Sequence, residues 1–136
     1  MTRYLLDSGI ASDLINRRGL VPARVRAERL RGNRIGLAIP VLAELIAGLH
    51  NSNDPERHLL ALWRNTSQLA LWNFDKAAAT EFGRLHAELR RTGRVMQVID
   101  LQIAAIAASL GNCTVVFKDS DFGAVSDLHV EDWSRP

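Results

Sequence analysis

Apolar positions along the chain follow two alternating rhythms. Short apolar runs bounded by turn residues read as strands: Tyr4 to Leu6, Arg34 to Ile39, Leu69 to Phe74, Cys113 to Phe117, and a brief Leu128 to Val130. Between them lie segments with helical spacing. Ile10 to Asn16 is broken by Gly19, and Ala23 to Leu30 is opened by Pro22 and closed by Gly32-Asn33. Pro40 ends the second strand, and in Val41 to His50 the residues Val41, Leu42, Leu45, Ile46 and Leu49 form one stripe. Asp54 and Pro55 start Glu56 to Asn65, while Asp75 caps Lys76 to Arg91 and Gly93 stops it. Asp100 opens the alanine-rich helix Leu101 to Leu110. Strands alternating with helices predict a parallel sheet covered on both sides.

At 136 residues, without repeats or low-complexity tracts, the chain reads as one domain spanning 1–136. Apolar content of 47% and charged content of 24% are those of an ordinary globular protein. No apolar stretch approaches the roughly 18–20 residues of a membrane span. The N-terminal run is strand-length and ends in Asp7, so no secretory signal is expected. A single cysteine, Cys113, excludes an internal disulfide and fits a reducing cytoplasm, where it serves as a small buried hydrophobe. Net charge is only +2, yet the cations are nearly all arginine, Lys76 and Lys118 being the only lysines. They gather at Arg17, Arg18, Arg24, Arg26, Arg29, Arg31 and Arg34, and again at Arg84, Arg90, Arg91 and Arg94. Guanidinium forks match phosphate geometry, which raises nucleic acid as a partner; a solvated helix face has the same composition.

The candidate chemistry is acidic. Asp7 ends the first strand, Asp119 and Asp121 follow the fourth, Asp100 stands at a helix start, and Glu44 lies early in the helix after the second strand. In a parallel arrangement these positions converge on the carboxyl edge of the sheet, where open α/β sheets build their sites. Each also has a plainer role: Asp7 and Asp100 as helix caps, Glu44 as a surface residue, Asp119 and Asp121 as turn formers. Together, such carboxylates repel unless a cation neutralises them, and oxygen donors suit Mg²⁺ or Mn²⁺. The scattered His50, His58, His86 and His129 argue against zinc. Ser8 has no supporting base for nucleophilic chemistry. Trp63, Trp72 and Trp133 read as packing residues.

The set Tyr4-Leu5-Leu6-Asp7-Ser8, Leu42-Ala43-Glu44-Leu45, Ile99-Asp100-Leu101-Gln102-Ile103-Ala104, Val115-Val116-Phe117-Lys118-Asp119-Ser120-Asp121-Phe122 and Val130-Glu131-Asp132-Trp133 resembles the PIN-domain ribonucleases. It is most similar to the toxin halves of VapBC-type toxin–antitoxin pairs, and the resemblance runs end to end. It implies a three-layer α/β/α fold around a parallel sheet of four to five strands. It further implies a Mg²⁺- or Mn²⁺-dependent endoribonuclease that cleaves RNA to inhibit translation, with Asp7, Glu44, Asp100 and Asp119 as catalytic and metal-holding residues. Ser8 and Asp121 would be auxiliary. A cognate antitoxin, a homodimer formed through the Leu42 to Leu49 region, and toxin–antitoxin hetero-oligomers are the implied partners. Gly9 stands where these toxins usually have Asn, and Phe117-Lys118 where Thr or Ser and Asn precede the fourth Asp. These departures predict a weakened nuclease. A catalytically impaired RNA- or protein-binding module and a housekeeping RNA-processing nuclease are the alternative readings.

Overall fold

The computed structural model describes residues 1–118 and 122–136. The elements are β1 (Arg3–Leu6), α1 (Ser8–Ile15), α2 (Val21–Leu30), β2 (Arg34–Ala38), α3 (Ile39–His50), α4 (Pro55–Thr66), β3 (Ala70–Trp72), α5 (Lys76–Arg91), α6 (Val98–Leu110), β4 (Cys113–Val116) and β5 (His129–Glu131), with a 3₁₀ turn at Phe122–Ala124. The five strands form one sheet in the order β3-β2-β1-β4-β5, and every pairing is parallel.

The chain winds outward from β1 in one direction to β2 and β3, then returns to the other side for β4 and β5. Right-handed crossovers therefore carry α1 to α4 over one face and α5 and α6 over the opposite face. This is the expected three-layer α/β/α architecture, and the reversal lies between β1 and β4. Strands sandwiched in this way have no polar face. Leu5, Leu6, Leu37, Val115 and Val116 are fully buried, and Ile103, Ala104 and Ile106 of α6 close on them from one side.

Several boundaries shift for identifiable reasons. Pro40 does not end a strand; Ala38 is the N-cap of α3 and Pro40 occupies the first helical turn, where a missing N–H costs nothing. Pro22 likewise lies inside α2, which begins at Val21. β3 is trimmed to Ala70–Trp72 because only these residues have a partner on β2. The long α5 keeps the bounds read from sequence: Asp75 accepts the Ala78 amide at 2.9 Å, and Gly93 takes φ +70 beyond the Thr92 cap.

The tryptophans divide. Trp133 is buried, its ring centroid 4.9 Å from that of Tyr4, with Arg24 over its ring at 5.1 Å and its Nε1 donating to Glu131 at 3.0 Å. It plugs the end of the sheet. Trp72 lies over Gly36, whereas Trp63 is 48% exposed on α4 and takes no part in the core. Cys113 is buried as expected, and burial pushes its thiol up to about 12, leaving it inert. No helix among the described residues is long and apolar enough to cross a membrane.

Gly36 sits mid-strand between β1 and β3. A Cβ there would come within 2.6 Å of the Trp72 ring and 2.8 Å of the Ala70 carbonyl oxygen. Because one of these atoms is backbone, side-chain movement cannot relieve the clash. Gly36→Ala is expected to destabilise the protein by about 1–3 kcal/mol, read as a lowered midpoint of urea unfolding.

Candidate functional site

The reversal of strand order opens a crevice between the carboxyl ends of β1 and β4, and Asp7 stands in it. Its backbone N–H donates to the Val116 carbonyl at 2.9 Å, continuing the β1–β4 ladder one residue past the strand. Its side chain then turns to two backbone donors: Oδ1 accepts from the Ile10 amide at 2.9 Å and Oδ2 from the Lys118 amide at 3.2 Å. Asp7 is thus the N-cap of α1 and, at 3% exposure, a buried carboxylate. Burial of a charge is tolerable here because backbone dipoles at both oxygens replace water. The capping role and a site role are compatible, since a carboxylate oxygen can accept more than one hydrogen bond.

Asp100 and Glu44 come from helices that touch. α6 leads through a two-residue turn into the start of β4, so its first turn lies at the carboxyl edge; α3 begins at that edge directly after β2. Asp100 is not a cap. Gln97 is the N-cap of α6, with no side-chain hydrogen bond, and Asp100 is the third residue of the first turn. Its carboxyl is raised above the ordinary aspartate range, first by desolvation and then by the negative charge of Glu44. Among the described residues, neither Asp100 nor Glu44 has an ion-pair partner. Glu44 is exposed, and the space beside Gly48 is open, as its position next to the stripe predicts. Ser8 is half-buried at the first position of α1. Asp119 and Asp121 lie outside the described residues.

The two departures from the family pattern meet each other. A Cβ on Gly9 would lie 3.6 Å from Lys118 Cβ and 3.8 Å from its Cδ, so the lysine stem runs over the glycine. Beyond it, Lys118 Nζ reaches Asp13 Oδ2 at 3.1 Å. Asp13 is 8% exposed on α1 and was not singled out by sequence. Its signal was present: it is three residues from Ile10 and so shares the buried face of the helix. Lys118 therefore engages Asp7 through its amide while its ammonium is held by Asp13. Asp132, just past β5, is also close enough to feel Lys118. Its carboxyl is lowered chiefly by the Ser134 hydroxyl at 2.5 Å and also by the Ser134 amide at 2.8 Å.

The donors that converge at this edge are hard oxygens, two of them mutually repelling and unpaired, which fits a divalent cation such as Mg²⁺ or Mn²⁺ rather than a softer metal. Among the described residues alone, no three His, Cys, Asp or Glu side chains come close enough to form a complete ligand set. The arginines do not form one face: Arg24 pairs with Glu131, Arg31 with Glu28, and Arg84 with Glu81 and Glu88.

An aspartate whose carboxyl is raised on folding weakens the native state as pH climbs through its range, because ionisation costs more in the folded than in the unfolded protein. In EDTA at neutral pH, Asp100→Asn is therefore expected to raise the melting temperature by about 1–3 °C. The gain should shrink as pH falls into the carboxylate range, where wild-type Asp100 is protonated. Melting curves at several pH values check both.

The PIN domain family profile matches residues 4–128. The tRNA(fMet)-specific endonuclease VapC of Shigella flexneri is 35% identical over 135 residues, covering 98% of this chain and 100% of that one. Ribonuclease VapC2 of Haemophilus influenzae is 32% identical over 133 residues, covering 98% and 99%. Among solved structures, VapBC2 from Rickettsia felis bound to a promoter DNA fragment superposes with a TM-score of 0.89 at 27% identity over 97% of this chain and 99% of that one. DNA-bound VapBC from Salmonella typhimurium gives 0.87 at 29% identity over 98% and 99%.

Proposed function

Because the chain belongs to the PIN-domain family, we propose that it is a metal-dependent endoribonuclease acting as the toxin of a toxin–antitoxin pair, with tRNA as its substrate class. What supports the reading is that the carboxyl edge of the sheet carries both a backbone-locked Asp7 and the mutually repelling Asp100 and Glu44. Residues 1–136 are read as a single domain.

In this reading Asp7, Glu44, Asp100 and Asp119 hold Mg²⁺ or Mn²⁺, with Ser8 and Asp121 auxiliary. When bound, the metal lowers the pKa of a coordinated water and offsets charge on the scissile phosphate. The chain's own contribution is positional. Asp7 is fixed by two amides, so its carboxylate is held at the edge without a rotameric search. Asp100 and Glu44 supply charge that no described residue neutralises by an ion pair, which favours cation capture and, before capture, repels the RNA backbone. Lys118, tethered to Asp13 rather than spanning the acidic crevice, places a fixed positive charge beside the site, where a phosphate flanking the scissile bond can meet it.

A cognate antitoxin is the proposed partner, supported by the complexes found in the related VapBC structures. The homodimer, the hetero-oligomer and a cytoplasmic location belong to the same proposal. A weakened or non-catalytic variant of the fold is the second reading, favoured by the Gly9–Lys118 contact at the site itself.

Cleavage of pooled tRNA and rRNA by the purified protein tests the assignment, run with Mn²⁺, Mg²⁺ or EDTA. Asp7→Asn and Asp100→Asn are each expected to lose about 10²-fold or more of the metal-dependent rate. Full activity in EDTA, or in both variants, would sink it. Silence of the wild type together with no calorimetric metal binding would transfer the case to the binding module.

A further inference from the structure

An open groove of about 750 Å³ lies among the ends of α1, α2 and α4. Arg17, Arg26, Arg29 and Arg64 line it, and no carboxylate does. All four arginines are exposed, and among the described residues none is in an ion pair; Arg29 donates to the Gln68 side chain. Elsewhere Arg24, Arg31, Arg84 and Arg135 each have a carboxylate partner. Four arginines without an ion-pair partner among the described residues thus share one concave wall, while others, Arg90 and Arg91 among them, lie outside it.

The groove is at the wrong end of the molecule to belong to the acidic crevice. Its lining includes Asn33 and Leu69, which immediately precede β2 and β3, so it opens at the amino edge of the sheet. Strands of four to five residues separate the two edges by roughly 13–17 Å. Four unneutralised guanidiniums around one cavity repel each other, and a ligand with several phosphates removes that repulsion while meeting each planar fork bidentately. One small anion leaves most of such a volume and most of the forks unused.

We infer that this groove is a second RNA-binding surface that holds the phosphate backbone of a folded substrate away from the cleavage edge. The inference rests on the nuclease reading for the identity of the polyanion. Its consequence is selection by shape: only an RNA that extends around the sheet from the acidic crevice to the amino edge engages both surfaces, and a short single strand engages one.

The test is the salt dependence of tRNA binding in EDTA, for wild type, R26Q/R29Q/R64Q and the control R90Q/R91Q, which removes two exposed arginines from the far end of α5. The triple variant is expected to reduce the slope of log K against log salt by roughly 2–3, the value for three lost phosphate contacts. The control should change it little. In Mn²⁺, the triple variant should lose about tenfold or more in kcat/KM on tRNA while keeping the wild-type value on a short single-stranded oligonucleotide. An unchanged slope, an equal change in the control, or equal loss on both substrates overturns the inference. So does intact RNA binding with loss of antitoxin binding, which would make the groove a protein interface. A protein that cleaves nothing yet shows the expected slope change keeps the groove and removes the nuclease reading. Because the substituted side chains are exposed and unpaired, a melting curve matching wild type is expected of the triple variant.

Discussion

The structure depends on one junction, where Asp7 joins the two central strands. Its amide extends the β1–β4 ladder to Val116, and its carboxylate receives the amides of Ile10 and Lys118. That single residue ends a strand, starts a helix and fixes the loop after β4. A doubly wound sheet must separate its crossovers at the reversal of strand order, and the gap exposes polar backbone that something has to satisfy. A carboxylate does so with charge-assisted hydrogen bonds and leaves a negative group in the crevice.

The other acids at this edge are held less securely. Asp100 and Glu44 sit on different helices; burial and the Glu44 charge raise the cost of ionising Asp100, and among the described residues neither has an ion-pair partner. Such arrangements are characteristic of functional sites, where local stability is given up for a task. Lys118 could have relieved the charge but is drawn away by the buried Asp13. The lysine stem passes beside Gly9, at a distance where a Cβ would make ordinary van der Waals contact. The two departures from the family pattern are therefore neighbours in space.

The arginines follow the same logic of pairing. Arg24 on α2 and its C-cap Arg31, which each meet a glutamate, serve the fold: one lies over Trp133 at the sheet end, the other covers the buried Glu28. Arg26 and Arg29 on the same helix project toward α4 and remain uncompensated. One helix thus presents structural and ligand-seeking guanidiniums on different sides, a division set by its 3.6-residue period.

Local pattern was enough for the alternation of elements, the burial of β1, the capping of α5 by Asp75 and its stop at Gly93. Each of these follows from side chains acting within a few residues of their own backbone. The sequence also placed Asp7 at the carboxyl edge of the sheet, because parallel strands put all strand ends on the same side. It misjudged Pro40, since a proline can close a strand or open a helix, and the start of α6, where a cap without a side-chain bond gives no local signal. Only the tertiary structure decided that Asp100 is free of a capping role, that Asp13 captures Lys118, and which arginines go unpaired. The Arg24–Glu131 and Lys118–Asp13 pairs join residues 107 and 105 positions apart, and no period or propensity encodes which long-range neighbour a flexible charged side chain will meet.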